Sequence, residues 1–231
     1  MRTERLDAVR PIARRYGQEE RFRRVSHRVS FALDRWPLEQ AAVLDVGCGY
    51  GNALLHFGEG SLGIDNSREA VDLCREAGLV ALQADVERDG LDTVPDGSFD
   101  FVWVSDVLEH TDSPRVVLRR LAPKLRAGGL LLVFASVLPE NRVARAAFRQ
   151  QEFPPFDSKA HFQQFTVQTL RHVLERAGYR TTAVKIPTPP WLGRVSGFVP
   201  RSLASRVLIE AAPDPDLAEL AVRAELRNAP R

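Results

Sequence analysis

Cysteine is nearly absent from this chain of 231 residues, which holds only Cys48 and Cys74. Two cysteines so placed give no disulfide framework and no zinc-ligand spacing, and no metal is expected. No apolar run approaches the ~20 residues of a membrane-spanning helix. The opening Met1-Arg2-Thr3-Glu4-Arg5 lacks the apolar core of a signal peptide, so a cytoplasmic location is the expectation. Excess charge is missing as well: 32 Lys and Arg against 30 Asp and Glu leave a net +2, which argues against nucleic acid as a partner. Repeats and low-complexity segments are absent. What remains is an ordinary globular composition, 44% apolar and 27% charged. It is long enough to bury a full core in one large domain, with or without appendages.

The chain is organised around Val43-Leu44-Asp45-Val46-Gly47-Cys48-Gly49-Tyr50-Gly51-Asn52. An apolar run ends in an acid, and three glycines follow at alternate positions. That order predicts a buried parallel strand, a tight turn free of Cβ crowding, and the start of a short helix. Such turns bring backbone N–H groups close to a ligand at the carboxyl end of the first strand. Asp65 ends the next apolar run, about twenty residues after Asp45, the spacing of a ribose-binding acid. Asp85 ends a third run. A fourth, Phe99–Val104, leads into Ser105-Asp106-Val107-Leu108-Glu109-His110.

This ordered set resembles the class I S-adenosylmethionine (SAM)-dependent methyltransferases over roughly residues 40–186. The nearer resemblance is to the small-molecule group that includes the ubiquinone and menaquinone biosynthesis methyltransferases and the MetW-type proteins. It implies a doubly wound, Rossmann-like, mostly parallel seven-stranded sheet. It also implies SAM as cofactor, with Asp45, Gly47, Cys48, Gly49, Tyr50, Gly51, Asp65, Asn66, Asp85, Val86, Ser105 and Asp106 around it. Within that resemblance, Asp65 takes both ribose hydroxyls, Asp85 the adenine amino group, and the Val86 N–H a ring nitrogen. The Leu108-Glu109-His110 segment resembles one common in the quinone group. His161 resembles the histidine of the family's His-x-x-x-Phe-Thr/Ser stretch. Glu109, His110 and His161 are therefore the candidates for a general base, each with a purely structural alternative. The small-molecule acceptor itself is not legible. A non-catalytic SAM-binding or partner-binding module of the MetW type is the rival reading.

A nicotinamide-binding protein is a weaker rival. The glycines run G-x-G-x-G rather than G-x-G-x-x-G, and Asp45 would lie beside a pyrophosphate of the same sign. SAM carries an ammonium and a sulfonium there instead.

Residues 1–38 read as an Arg-rich helical cap, with Val25, Val29 and Leu33 as an apolar stripe. Its arginines are either a solvated face or an attraction for an anionic substrate. The SAM-binding domain is expected over 39–212, with a tail helix in 213–231. Ser67 and Thr166 read as helix N-caps. Asp100 reads as structural and His56 as structural or exposed. Gly128-Gly129 reads as the turn into a strand over Leu130–Ala135. The stretch 137–165 is too long for a plain connection and is expected to be a lid whose Phe153, Phe156 and Phe162 wall the substrate. Trp191–Pro200 is a further loop near the site, and Arg206–Ile209 is the candidate for a last antiparallel strand.

Overall fold

The computed structural model describes residues 2–89, 91–139, 162–187 and 206–228. Its strands are β1 (Val43–Val46), β2 (Leu62–Asp65), β3 (Ala81–Gln83), β4 (Phe99–Ser105), β5 (Leu125–Ser136), β6 (Tyr179–Lys185) and β7 (Arg206–Pro213). They form one seven-stranded sheet in the order β3-β2-β1-β4-β5-β7-β6. β1 pairs parallel with β2 and β4, and β2 with β3. β7 runs antiparallel to both β5 and β6. The doubly wound sheet and the antiparallel last strand expected from the sequence are both present. Every residue of β1 is buried. A strand flanked on both edges and covered on both faces has no reason to alternate, which is why its residues are apolar on both faces apart from Asp45.

Two compact units make up the fold: Met1–Val104 with Pro123–Gly129, and Ser105–Ala122 with Leu130–Arg231. In the first, α1 (Arg2–Arg15), a 3-10 turn (Glu19–Phe22) and α2 (His27–Leu33) precede the sheet. Leu6, Val9, Ala13 and Phe22 share a buried cluster with Leu55 and Leu73. The N-terminal segment is thus part of this unit's core. Ser26 caps α2 through a hydrogen bond from the Val29 N–H, so the helix starts after Val25, and the apolar stripe is interrupted there. Several arginines are neutralised within the segment or by α3 (Arg68–Glu76): Arg10 pairs with Asp7, Arg14 with Glu19, Arg15 with Glu76 and Arg23 with Glu20. Ser67 caps α3 as its sequence implies, accepting from the Ala70 N–H.

Asp100 is a staple. Its Oδ2 accepts from the Ala42 N–H at 2.9 Å, and its Oδ1 meets Arg126 Nη1 at 2.8 Å. Lys124 is buried and donates to the Val94 carbonyl and to Asp96 Oδ1. The turn expected at Gly128-Gly129 is instead inside β5, which starts at Leu125. Gly128 has φ +78°, so the strand bends there without stopping.

In the second unit, α4 (Pro114–Leu121), α5 (Val167–Arg176) and α6 (Pro215–Asn228) accompany the strands. Thr166 and Thr169 form a reciprocal capping box at the start of α5. The buried Tyr179 hydroxyl donates to the Leu118 carbonyl at 2.9 Å. Asp214 Oδ1 accepts from the N–H groups of Asp216 and Leu217 and so opens α6.

Thr166→Ala removes one partner of the capping box. It should lower stability by about 1 kcal/mol, seen as a lower urea midpoint at unchanged m-value. An unmoved midpoint would show that the box contributes nothing.

Candidate functional site

The first unit builds a cradle at the carboxyl ends of β1 and β2. Gly47, Gly49 and Gly51 have φ of +68°, +52° and +83°, the left-handed region that side chains disfavour. The turn they make lies against β2: the N–H groups of Gly47 and Cys48 both donate to the Ile64 carbonyl, at 2.8 and 3.0 Å. Gly51 also needs its missing Cβ for space, since a Cβ there would come within 2.9 Å of Cys74 Sγ and 2.8 Å of Leu79 Cδ1. Above Gly49 there is open room.

The short helix expected after the glycines is a single 3-10 turn, Leu54–His56. Leu54 and Leu55 are buried within the turn, and Phe57, buried in an extended conformation, ends it. The expected helix N-terminus is therefore absent, and individual loop N–H groups take its place. Among the described residues no acceptor takes the backbone N–H groups of Tyr50, Asn52 or Ala53. His56 is fully buried and belongs to the core.

Asp65 is held in position by the backbone. Its Oδ2 accepts from the Gly49 N–H at 2.8 Å and its Oδ1 from the Ser67 N–H at 2.9 Å. Asp45 is in the opposite situation. It is 2% exposed, and among the described residues its Oδ2 has no hydrogen-bond partner. Burial, then the neighbouring Asp65 carboxylate, push the Asp45 carboxyl well above its ordinary range, with the Leu54 N–H opposing them. Asp45 sits in register with Gly63 on β2 and Trp103 on β4. A Cβ on Gly63 would lie 2.7 Å from Cys48 Sγ, so that glycine, which the sequence reading did not single out, makes room for the loop. Cys48 and Cys74 both donate to the Gly49 carbonyl. The hydrogen-bonded Cys74 thiol and burial push the Cys48 thiol up, which keeps it protonated and inert.

Asp85 lies next along the strand tips, where the Ala84 N–H donates to the Asp65 carbonyl at 3.0 Å. Its Oδ1 accepts from the N–H groups of Glu87 and Arg88, which folds the carboxylate into its own turn. Val86 is half-buried and Asn66 exposed beside it. The N-terminal segment reaches the same loop. Asn52 Nδ2 donates to the Arg21 carbonyl at 2.6 Å, Arg5 donates to the Leu55 carbonyl, and the Arg21 guanidinium lies 5.5 Å above the Tyr50 ring. No composition signal marks Asn52, because its role depends on a segment thirty-one residues earlier.

The second unit carries the remaining candidates. Asp106, just after Ser105, has φ +51°, a strained value for a residue with a side chain, and its N–H donates to the Phe134 carbonyl. Leu108–His110 is a 3-10 turn in which Glu109 is buried and the His110 side chain exposed. The Glu109 carbonyl accepts from the N–H groups of Phe162 and Gln163, at 2.8 and 3.1 Å. Val137 bridges Phe165, and the Leu138 N–H donates to the Phe165 carbonyl. Both ends of the expected lid are therefore clamped beside Glu109. The Phe162 ring is 65% exposed. His161, Phe153, Phe156 and Trp191–Pro200 lie outside the described residues.

A methyltransferase-domain family model matches residues 18–184. The chain belongs to that family. It is 34% identical over 115 residues to the ubiquinone biosynthesis O-methyltransferase of Ralstonia nicotianae, covering 47% of this chain and 48% of that protein. The protein of the same name from Xanthomonas campestris is 35% identical over 129 residues, 52% of each chain. The match thus spans about half the length of these curated relatives. A SAM-dependent methyltransferase from Thermotoga maritima shares the fold at TM-score 0.61 and 19% identity, over 88% of this chain and 99% of that one. The chain accordingly has the class I SAM-dependent methyltransferase fold, and SAM is the cofactor this family brings. The methyltransferase cradle suits it: an orphaned buried carboxylate oxygen and unclaimed loop N–H groups match the ammonium and carboxylate of an amino-acid end.

A carboxyl raised on folding contributes stability that is complete below its ordinary pKa of about 4 and is lost as pH rises toward its folded value. Without cofactor, Asp45→Asn should therefore melt higher than the parent, by a margin that widens as pH rises from 5. Each kcal/mol of relieved burial corresponds to about 2–4 °C in Tm for a chain of this size. Equal melting of the two proteins across that range would refute the raised Asp45.

Proposed function

We propose that this methyltransferase moves the methyl group of SAM to an oxygen, nitrogen or carbon atom of a small-molecule acceptor. The observation that carries the reading is Asp45 Oδ2, a buried carboxylate oxygen without a partner among the described residues, next to a second carboxylate. Such a place favours a cation and disfavours a pyrophosphate. In this reading Asp45 and the glycine loop hold the amino-acid end, with Cys48 and Tyr50 shaping the turn. Asp65 holds the ribose, and Asp85, Val86 and Asn66 hold the adenine. Ser105 and Asp106 line the methyl side.

When bound, SAM supplies an already electrophilic methyl group. The chain's part is then to position the acceptor and keep water out, and positioning by itself supplies several kcal/mol of rate, up to about 7–11 in the best-oriented cases. Where the acceptor must lose a proton, the His110 imidazole, exposed in its 3-10 turn, is the first candidate to take it; His161 and Glu109 are the others. Phe162, its ring exposed next to the Glu109 carbonyl contact, is available as an apolar wall. A hydroxyl acceptor is the first class to test, since the curated relatives carry the name O-methyltransferase. A cytoplasmic place of action belongs to the same proposal. No helix among the described residues is long and apolar enough to cross a membrane.

Asp65→Ala should abolish SAM binding in calorimetry; unchanged affinity would sink the cofactor assignment. With an acceptor found by screening metabolite extracts against isotopically labelled SAM, His110→Ala should lower kcat by about 10²–10⁴ while SAM affinity stays within twofold. A kcat left unchanged would remove His110 as the base.

A further inference from the structure

We infer that Asp45 carries a proton while the cradle is empty and releases it when the ammonium group of the cofactor's amino-acid end arrives, so that Asp45 is the residue that reads the cofactor's positive charge. The inference rests on the cofactor reading above and adds a proton exchange to it. Asp45 and Asp65 stand at the ends of neighbouring strands, yet their surroundings differ. Asp65 has a backbone N–H on each oxygen, from Gly49 at 2.8 Å and Ser67 at 2.9 Å, and is built to hold a negative charge. Asp45 is 2% exposed, and its Oδ2 has no donor among the described residues.

The groups that act on Asp45 are few. Asp65 faces it from β2 and repels its charge, and the Leu54 N–H faces it from the 3-10 turn. From β4 its neighbour in register is Trp103, which has no charge. Cys48, on the loop, stays a neutral thiol under the influence of Cys74, burial and Asp45 itself. No arginine or lysine is among the groups that shift Asp45. Two adjacent carboxylates, one of them fully buried, do not both ionise cheaply, and the buried one, with a single backbone donor against two on Asp65, keeps the proton. An ammonium entering the cradle brings the missing positive charge. The Asp45 carboxylic acid then becomes a carboxylate, its O–H bond breaks, and the proton leaves to water. One positive charge enters and one departs.

The exchange is read by titration calorimetry of the full chain at pH 6.5, in two buffers of different ionisation enthalpy. At that pH an α-amino group, with a pKa of about 7.7–8.0, is still an ammonium. Three ligands separate the charges: SAM has ammonium and sulfonium, S-adenosylhomocysteine has the ammonium alone, and 5′-methylthioadenosine has neither. SAM and S-adenosylhomocysteine should each release protons, up to one per site, and 5′-methylthioadenosine none. Affinity for S-adenosylhomocysteine should rise with pH between 5.5 and 6.5, the direction that proton release requires, with tenfold per pH unit as the upper bound for one proton. Asp45→Asn should release no proton and show a flat pH profile.

Buffer-independent heats with S-adenosylhomocysteine would overturn the exchange while leaving the cofactor reading intact. Release with SAM but not with S-adenosylhomocysteine would overturn the ammonium as the group read. The three-ligand comparison on the parent protein decides the matter even if the Asp45→Asn variant fails to fold. If none of the three ligands binds, the exchange and the cofactor reading fall together.

Discussion

A fully buried carboxyl set beside a second carboxylate constrains everything else at this end of the sheet. Parallel pairing of β1 and β2 places Asp45 and Asp65 on adjacent strands, and the glycine loop closes over them. Backbone N–H groups satisfy both oxygens of Asp65 and leave Asp45 Oδ2 without a partner among the described residues. A fold optimised for stability alone would place an apolar side chain at Asp45, where the strand is otherwise fully apolar. The carboxyl costs free energy in the empty protein, and a positive ligand beside it would offset that cost where a phosphate would add to it.

The N-terminal segment extends this constraint outward. Leu6, Val9 and Phe22 share a core with Leu55, and Asn52 and Leu55 are both tied by hydrogen bonds to arginines of the segment. The glycine loop and the turn after it are thus held by residues placed before the first strand. The many arginines there spend much of their charge on acids of the same unit, on Asp7, Glu19, Glu20 and Glu76. Attraction of an anionic substrate is not needed to explain them.

Strand tips were legible because they depend on local pattern. An apolar run ending in Asp45, Asp65 or Asp85 reports burial and then a turn, and both follow from the neighbouring residues. The caps at Ser67 and Thr166 were legible for the same reason. The stretch after Gly51 was misread because its apolar residues fit a helical stripe over too short a span, and only the left-handed glycines decide that the chain makes one 3-10 turn. The start of β5 was misplaced because Gly128 reads as a stop, whereas a single positive φ bends the strand and lets it continue. The roles of Asn52 and Gly63 depend on contacts across many residues, and no spacing rule announces them. Neither does the split between a satisfied Asp65 and an unsatisfied Asp45, since both are written as an acid after an apolar run.

The clamp at Glu109 has an evolutionary reading. Residues 137–138 and 162–165 meet each other, and Phe162 and Gln163 fasten to the Glu109 carbonyl. Chain between two fixed anchors can lengthen or shorten at a free-energy cost that grows only with the logarithm of its length. Selection can therefore change the length of that connection at little cost to the anchors that hold its two ends, which frees its composition to drift faster than theirs.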